Sequence, residues 1–331
     1  MGRLITPHVG ARILSSGAVG GYEERRGPFG ECFDYCSQDD RFGADTFELA
    51  EAEMARMALS YALGRSGIGA GLDLLIAGDL QNQCVASSQG PASVGAPFLG
   101  LFGACSTMAE GLGVGMLAIS GGAATSVVGV VTSSHNAAAE RQFRTPLEYG
   151  AQRTPTAQWT ATAAGAVILG REGGYAEING FLPGRVVDAG INDAANMGAA
   201  MAPAAADTLL AYFRETGERP EEYDMILTGD LGKEGSVLLR TLLGEALPTL
   251  GERHRDGGCL LYDREGQDVH AGGSGCGCIA SILAGVVLPA IRERRMHRIL
   301  AVGTGALMNP ASIQQGGTIA GIAHLVRIVE V

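Results

Sequence analysis

The sequence predicts an α/β protein made of two similar halves, because two pairs of strand-like phrases recur along it. Asp73–Leu80 reads DLLIAGDL and Asp224–Leu231 reads DMILTGDL, each an apolar run that ends in Gly-Asp-Leu. Such runs are typical of buried strands that stop at a turn. Further along each half, Val128–His135 (VGVVTSSH) resembles Leu300–Leu307 (LAVGTGAL). The same order of elements in both halves indicates a duplicated fold.

A Gly- and Cys-rich segment lies between the matched phrases of each half and opens an apolar helix. The first segment is GACSTMAEGLG from Gly103, and the second is GGSGCGCIASILAG from Gly272. We therefore expect two α/β units packed against each other, an N-terminal half of residues 1–175 and a C-terminal half of residues 176–331.

Composition narrows the class of protein. The chain has 331 residues, 46% hydrophobic and 18% charged, which favours a large globular core over disorder. Its net charge of −11 argues against non-specific binding of nucleic acid or anionic lipid. Seven cysteines without framework spacing indicate free thiols in a reducing compartment. We expect no signal peptide, and the longest apolar stretch, Ile279–Ile291, is too short to span a bilayer.

In the first half, apolar periodicity and turn residues predict the elements in order. Phe47, Ala50, Met54 and Tyr61 fall on one helical stripe, and Asp45 is a plausible N-cap. The predicted elements are a covering segment over residues 1–40, a helix over Thr46–Leu63, a strand over Leu74–Ala77, a helix-like stretch from Gln81, a strand over Phe98–Phe102, a helix after Cys105, and strands over Ser126–Thr132 and Ala161–Leu169.

The second half is expected to open near Gly184 and to repeat this order. Pro203 stands early in its first helix, where proline is tolerated. The predicted elements are helices over Ala202–Phe213, Ser236–Leu247 and Gly275–Ile291, and strands over Met225–Leu227, Ile299–Val302 and Ala323–Val331.

One long segment, His135–Ala157, is polar, aromatic and arginine-rich. Long irregular segments in compact domains are usually functional. Arginine forks together with aromatic rings suit a flat anionic ligand, although a packed lid or a dimer contact explains them equally well. The candidate binding residues in and just after this segment are Arg141, Arg144, Tyr149, Arg153, Gln158 and Trp159.

Cys105 stands at an abrupt strand-to-helix turn. Such an elbow exposes the side chain to helix-terminal N–H groups, which lower a thiol pKa and stabilise a bound carboxylate or an oxyanion. The alternative is a small buried apolar residue, the state of most free cysteines. His270 opens the matching helix of the other half and would lie near Cys105 if the halves pair by pseudo-two-fold symmetry, although a lone histidine is more often structural or exposed.

Asp79 and Asp230 end equivalent strands, and Asp230 would line the shared cleft at its strand end, although a structural turn role fits both. Cys276 and Cys278 form a single Cys-x-Cys pair, which is weak support for a metal.

The duplicated unit, the cysteine in GACSTMAEGL and the closing AAGAVIL resemble the thiolase and ketoacyl-synthase superfamily. The resemblance implies a thiolase-like fold of duplicated βαβαβ halves in five layers, α-β-α-β-α, with mixed, mostly parallel sheets. Its members condense or cleave acyl thioesters through the elbow cysteine.

A more specific resemblance covers nearly the whole chain. The strings AGDLQNQ, FLGLFGACSTMAEGL, SSHNAAAERQFRTPLEYGAQRTPTAQWT, TGDLGKEG and DVHAGGSGCGC are similar to the stage V sporulation protein AD family. The resemblance implies binding of dipicolinic acid, alone or with calcium, during its transfer into the forespore. It also implies membrane-embedded partners from the same operon, through which a cytoplasmic chain would associate with the forespore membrane.

The catalytic match to the superfamily is partial. Cys105 aligns with the nucleophile, and His270 in HAGGSG resembles the thiolase histidine with spacing one residue short. Asp230 stands where synthases carry a histidine, and Gly303-Thr304-Gly305 stands in place of the second thiolase cysteine. Losing part of an acid–base set puts turnover in doubt but leaves a cleft for binding.

The two resemblances imply two alternative functions. The first is a dipicolinate-binding protein without turnover or cofactor, with Cys105, Ser106, Arg141, Arg144, Tyr149, Gln158, Trp159, His270 and Gly273 at the ligand. The second is an acyltransferase with Cys105, His270 and Asp230 as catalytic residues. The superfamily resemblance implies a homodimer in both cases, paired through the strand after the nucleophile helix, Ser126–Thr132, whose apolar residues would otherwise form an unprotected edge. No calcium loop of recognisable spacing is present.

Overall fold

The computed structural model describes residues 3–68, 71–122, 126–143 and 152–331. The alternating and continuous apolar runs form strands, most of them buried on both faces. The strands are β1 Ala11–Gly20, β2 Tyr35–Cys36, β3 Leu74–Gly78, β4 Phe98–Leu101, β5 Val127–Ser134, β6 Trp159–Thr160, β7 Ala163–Gly170, β8 Ala176–Leu182, β9 Met225–Thr228, β10 His254–Asp256, β11 Gly273–Ser274, β12 Arg298–Leu307 and β13 Ala320–Glu330.

The helices connect these strands. They are α1 Tyr22–Arg26, α2 Phe47–Ser66, α3 Val85–Gln89, α4 Thr107–Ser120, α5 Asn136–Phe143, α6 Met197–Thr216, α7 Gly232–Leu243, α8 Leu250–Arg253, α9 Gly257–Leu261, α10 Cys276–Ile282, α11 Leu288–Arg292 and α12 Pro310–Gln314. A π-helical turn, Leu283–Val287, joins α10 to α11, and short 3₁₀ turns lie at Gly30–Cys32, Asn82–Cys84, Pro91–Val94, Ala104–Ser106 and Pro220–Glu222.

The duplication is visible in the strand order β10-β9-β12-β13-β8-β1-β7-β5-β3-β4. Five strands of each half form one arm, and the order of the second arm mirrors that of the first. The outer three strands of each arm are parallel, and the inner strands are antiparallel. Among the described residues, strand pairing between the two arms consists of the three β1–β8 pairs from Ala11 to Ile13.

The layers follow from what each helix covers. Helices α4 and α10 form the middle layer. Helix α4 contacts β5 of the first arm and β8, β12 and β13 of the second, and α10 contacts α4 and packs on β1, β5 and β7 of the first arm. Helix α2 covers the outer face of the first arm, and α6 with α7 covers that of the second. This arrangement is the predicted α-β-α-β-α order, and it places the first turns of α4 and α10 side by side in the middle of the molecule.

Glycine permits the close approach of α10 to the first arm. A Cβ added at Gly277 would lie 2.1 Å from the Ala163 carbonyl oxygen of β7, and one added at Gly165 would lie 2.1 Å from the Ala280 carbonyl oxygen. Contacts this short leave no room for a side chain. The glycines of the second Gly/Cys-rich segment therefore bring α10 against the sheet.

Several boundaries differ from the sequence predictions. The expected covering segment contains β1, a central strand whose Ala11, Ile13 and Val19 are fully buried. The prediction of Ser126–Thr132 as the edge strand is wrong, since β5 lies between β3 and β7 and the edge is β4. The first part of the arginine-rich segment is the helix α5, and the N-cap of α2 is Thr46, whose side chain accepts from Leu49 N–H.

Within the described ranges, none of the helices has the length and apolar character needed to cross a membrane. Strand β8 begins at Ala176, the first residue of the predicted C-terminal half. The division of the chain at this point stays a prediction.

Candidate functional site

Cys105 lies in the 3₁₀ turn between β4 and α4, and this turn is held against β12. A Cβ added at Gly303 would lie 2.8 Å from the Ser106 carbonyl oxygen, and one added at Gly305 would lie 3.0 Å from the Gly103 carbonyl oxygen. The pair of glycines in β12 thus lets the elbow sit directly on the strand. Ala104 takes a left-handed conformation at φ 52°, which makes the turn abrupt. Only 6% of Cys105 is exposed.

The N-terminal end of α10 reaches the same point from the other half. Cys276 is fully buried and packs with Cys105, Leu80 and Ala139. The Gly275 N–H lies within hydrogen-bonding reach of the Cys105 thiol and donates to Asp230 Oδ2 at 2.8 Å. Helix N-termini from both halves therefore converge on Cys105, as the pseudo-symmetric pairing predicted.

Asp230 follows β9 and is the hub of a buried network behind Cys105. Its Oδ1 accepts from Thr304 Oγ1 at 2.8 Å, and its backbone N–H donates to the same hydroxyl at 3.0 Å. Gln158 Nε2 donates to the carbonyl oxygens of Asp230 and Gly273, at 2.7 and 2.8 Å. Thr304 and Gln158 therefore fix Asp230 beside the thiol.

Electrostatics keep the Cys105 thiol protonated. Burial and the neighbouring Asp230 carboxylate hold the pKa of the thiol well above its usual value. Burial also raises the pKa of Asp230 to about 7. A thiolate is the reactive form of cysteine. The immediate surroundings of Cys105 thus oppose its activation.

A cavity of about 280 Å³ opens above Cys105, near the lower end of the size range of ligand pockets. Its wall is largely apolar and aromatic, from Leu80, Phe102, Ala104, Phe143, Met197, Ala306, Leu307, Met308 and Pro310. Its polar lining consists of Cys105, Asn82, Gln142, Ser274 and Asn309. Among the lining residues that the structure describes, none is charged.

Ser274 is the polar group of this cavity that stands out. Ser274 is 1% exposed, and its hydroxyl has no hydrogen-bond partner within the described part of the chain. Burying an unpaired hydroxyl costs free energy. The side-chain oxygens of Gln142 and Asn309 already accept, from Asn82 Nδ2 at 2.8 Å and Ser312 N–H at 3.1 Å. Their amide NH₂ groups can therefore donate into the cavity beside Ser274.

The structure turns His270 away from Cys105. Its Nδ1 donates to the Thr154 carbonyl oxygen at 2.7 Å, and its Nε2 lies 2.9 Å from Asp268 Oδ1. His270 does not line the cavity. The Thr154 and Asp268 contacts hold the ring at the surface side of the loop.

The predicted binding residues in and after the arginine-rich segment lie in different places in the structure. Arg141 pairs with Glu48 and bonds the Ala137 carbonyl oxygen, so its guanidinium is engaged outside the cavity. The Arg153 guanidinium lies over the ring of Trp159, with Cζ 5.2 Å from the ring centre. Neither Arg153 nor Trp159 lines the cavity. Arg144 and Tyr149 lie outside the described residues, and their roles stay predictions.

Two further predicted ligand residues, Ser106 and Gly273, make their contacts outside the cavity. Ser106 is fully buried and its hydroxyl donates to the Gly103 carbonyl oxygen at 2.6 Å. A side chain on Gly273 would point to Tyr262 and Cys278, whereas Ser274 lines the cavity. Successive residues of a strand face opposite sides, so Ser274 faces the cavity and Gly273 does not. The role of Gly273 at a ligand stays a prediction.

Asn82, Gln142 and Asn309 were also missed by the sequence analysis. Gln142 stands inside the segment singled out there, but Asn309 stands in an unremarkable Met-Asn-Pro sequence. Within the described ranges, no group of three or more His, Cys, Asp or Glu side chains could hold a metal ion. The Cys276 thiol donates to the Ser133 carbonyl oxygen at 2.9 Å, which accounts for one member of the Cys-x-Cys pair.

Comparison with solved structures shows the fold. The chain is similar to OleA from Xanthomonas campestris, with a TM-score of 0.62 and 14% identity over 98% of this chain and 99% of that one. It is similar to 3-oxoacyl-[acyl-carrier-protein] synthase III from Aquifex aeolicus, with a TM-score of 0.58 and 15% identity over 97% and 100%. It is also similar to human mitochondrial 3-ketoacyl-CoA thiolase, with a TM-score of 0.60 and 12% identity over 98% and 99%. The fold is therefore thiolase-like.

Comparison with sequences is more specific. The chain is 41% identical over 313 residues to stage V sporulation protein AD of Bacillus subtilis (strain 168), covering 94% of this chain and 92% of that protein. The family model of stage V sporulation protein AD (SpoVAD) matches residues 5–329. The chain therefore belongs to the stage V sporulation protein AD family.

Proposed function

We propose that this sporulation protein binds dipicolinic acid, alone or as its calcium chelate, in the cavity above Cys105 and takes part in its uptake into the forespore without catalytic turnover. In this proposal the chain is cytoplasmic and acts at the forespore membrane beside membrane proteins of the same operon. The observation that carries the binding site is the buried hydroxyl of Ser274, which has no partner among the described residues and lies in a small apolar cavity.

The cavity matches the chemistry of a planar pyridine dicarboxylate. Phe102 and Phe143 offer aromatic surface for the ring. The Ser274 hydroxyl and the amide groups of Gln142 and Asn309 are donors for carboxylate oxygens. The helix N-termini that meet at Cys105 add positive potential to these neutral donors.

Charge sets the conditions of binding. The described lining of the cavity supplies no cation, and Asp230 lies directly behind Cys105. A dianion therefore binds best when Asp230 is protonated or when calcium accompanies the ligand. Because the pKa of Asp230 is about 7, protonation is within reach at neutral pH.

The alternative, an acyltransferase that uses Cys105, has the fold in its favour. Its weakness is the partner of the nucleophile, because the Asp230 carboxylate raises the pKa of the thiol instead of lowering it. His270, the predicted base, is engaged with Thr154 and Asp268. The geometry thus supports a binding cavity better than an acylation site.

Isothermal titration with dipicolinate tests the proposal. Ser274→Ala is expected to weaken binding about tenfold or more, because a hydrogen bond to a charged group contributes about 1.5–3 kcal/mol. Ser281→Ala is the matched control: this buried serine of α10 donates only to Cys278 O, at 3.1 Å, and lies outside the cavity. Binding by the parent protein is expected to be tighter at pH 6 than at pH 8, and Asp230→Asn is expected to reduce that difference.

Two outcomes would contradict the proposal. One is the absence of heat at millimolar dipicolinate with and without calcium. The other is a stable mass increase after incubation with acetyl-CoA that disappears in Cys105→Ser, which would favour the acyltransferase.

We also propose a homodimer, now paired through β4 instead of the strand predicted from the sequence. On one side β4 pairs with β3, and no other described strand pairs with its outer side. This edge is apolar and open, with Phe98 37%, Leu99 45% and Phe102 58% exposed. Long apolar edges are normally covered. A second copy paired here would also cover Phe102 at the cavity.

Light scattering at micromolar concentration tests the dimer. The parent protein is expected to have the mass of two chains, and Leu99→Lys is expected to be monomeric because a charge would enter the apolar edge. Leu242→Lys, an equally exposed leucine of α7, is the control and should stay dimeric. A monomeric parent protein, or an unchanged mass in Leu99→Lys, would contradict pairing at β4.

A further inference from the structure

A second cleft, separate from the Cys105 cavity, lies between α7, β10 and α9. We call it the α7 cleft; its volume is about 250 Å³. Four exposed cationic side chains surround it, Lys233, Arg240, Arg255 and Arg264. Lys233 is the single lysine of the chain. So dense a cluster of cations contrasts with the net charge of −11.

These cations lack carboxylate partners. Among the described residues, none of the four forms an ion pair, and Arg255 Nη1 bonds only the carbonyl oxygens of Glu252 and His254, at 3.2 and 2.8 Å. Like charges held together repel one another unless an anion compensates them. The rim of the α7 cleft therefore favours an anionic ligand.

One carboxylate, Asp256, also lines the cleft, and its oxygens are already used. Oδ2 accepts from Thr228 Oγ1 at 2.7 Å and from Leu231 N–H at 2.9 Å. Oδ1 accepts from Gly232 N–H at 2.9 Å and from Cys259 N–H at 3.2 Å. The Asp256 carboxylate therefore stabilises the loop after β9 and does not pair with the four cations at the rim of the α7 cleft.

His254 determines which anion fits. It is 3% exposed and lines the cleft, and its Nε2 lies 2.8 Å from Thr228 Oγ1. Because the Thr228 hydroxyl gives its single proton to Asp256, it must accept from His254 Nε2–H. The neutral ring therefore carries a lone pair on Nδ1, and this buried atom has no partner among the described residues. Burial, together with the neighbouring Arg240 and Arg255, lowers the pKa of His254 to about 4 and favours this neutral form.

We propose that the α7 cleft binds a protonated phosphoryl group, either free hydrogen phosphate or a phosphomonoester. Such a group offers several oxygens to the rim cations and one P–O–H donor to His254 Nδ1. Arginine forks match phosphate oxygens with paired hydrogen bonds. Sulfate has the same shape and charge but lacks the proton, so His254 selects against it.

Isothermal titration of the full chain with sodium phosphate and sodium sulfate at pH 7 and constant ionic strength tests this site. Phosphate is expected to bind at least tenfold more tightly than sulfate. Arg240→Gln is expected to weaken both anions severalfold. His254→Gln keeps an amide N–H at the position of Nε2 but removes the Nδ1 acceptor, so it is expected to abolish the preference for phosphate.

Controls separate this proposal from the others. Arg295→Gln removes an exposed arginine that pairs with Glu293 outside the cleft, and it should leave phosphate binding unchanged. Ser274→Ala should likewise bind phosphate as the parent does, since Ser274 lines the other cavity.

Titration with methyl phosphate distinguishes the two possible ligands. Tighter binding of methyl phosphate than of phosphate would assign the site to phosphomonoesters, and tighter binding of phosphate would assign it to the free ion. The proposal would be overturned if the protein did not bind phosphate, or if it bound phosphate and sulfate with equal affinity. If His254→Gln fails to fold, Arg240→Gln still tests the site, because Arg240 is exposed and its replacement should not disturb folding.

Discussion

Gly277→Ala is expected to destabilise the protein by about 2 kcal/mol or more and to abolish dipicolinate binding. The new Cβ would lie 2.1 Å from the Ala163 carbonyl oxygen and 2.8 Å from Ser134 N. Both atoms belong to strand backbone in the middle of the first arm, so the helix must move instead. Movement of α10 displaces Ser274 and the Gly275 N–H from the cavity and from Asp230. Urea unfolding and dipicolinate titration measure the two effects.

Gly64→Ala is the matched control for this prediction. Gly64 lies in α2, and a Cβ at this position would meet no atom within 4 Å. Replacing glycine by alanine in a helix interior stabilises by about 1 kcal/mol, so this variant should be more stable than the parent. If Gly277→Ala unfolds at the same urea concentration as the parent, the close packing of α10 on β7 is not a constraint.

The carboxyl groups alone are expected to lower the free energy of unfolding by about 2 kcal/mol between pH 7 and pH 9. The buried thiols of Cys105, Cys276 and Cys278, whose pKa burial raises, lower it further, because in the unfolded chain they ionise at about pH 8.5. Burial raises the pKa of Glu51 to about 8, of Glu24 to about 7 and of Asp230 to about 7. In the unfolded chain these carboxyls are already ionised near pH 4. The folded state must therefore release their protons as the pH rises through the raised values, and it loses stability there.

Glu51 carries most of this dependence, because it also faces the buried Asp79 carboxylate, whose own pKa is raised by burial. Gln81 Nε2 donates to Glu51 Oε2 at 2.7 Å and Ser133 Oγ to Oε1 at 3.0 Å, contacts that an amide can largely replace. Glu51→Gln should thus lose about 1.4 kcal/mol less stability than the parent between pH 7 and 9.

Urea unfolding at pH 7, 8 and 9 measures the change, in a window above the ordinary pKa of histidine. His254 and His324, whose pKa values burial lowers to about 4, stay neutral in both states there. Asp263→Asn, an exposed carboxyl on the surface, is the control and should follow the parent curve. A parent protein whose stability is flat or rises across this window would refute the proposed ionisation cost.

Local sequence patterns located most elements of the fold. The two Gly-Asp-Leu phrases mark β3 and β9, and the segments after Gly103 and Gly272 open α4 and α10. Periodicity failed where position in the sheet matters. Residues 11–20 and Val127–Ser134 are both apolar, but hydrogen-bond pairing with distant strands decides that β1 is central and that β5 is not an edge.

The candidate site, like the fold, could be predicted only in part from local sequence patterns. Cys105 and Asp230 were predicted from their turns, and the structure places them in contact. Ser274, Gln142 and Asn309 were missed because each comes from a different element and none carries a distinctive motif. Arg141 was proposed as a ligand residue from composition, and its contact with Glu48, far away in sequence, engages it elsewhere.

Taken by itself, the amino-acid sequence determined the duplicated α/β order, the elbow that carries Cys105 and the resemblance to one sporulation family, because these depend on residues that are neighbours along the chain. Tertiary structure alone decided that β4 is an open edge, that a carboxylate keeps the Cys105 thiol protonated and that a serine hydroxyl without a partner among the described residues lines the cavity. Those features depend on burial and on which distant groups meet, and no local pattern encodes either one.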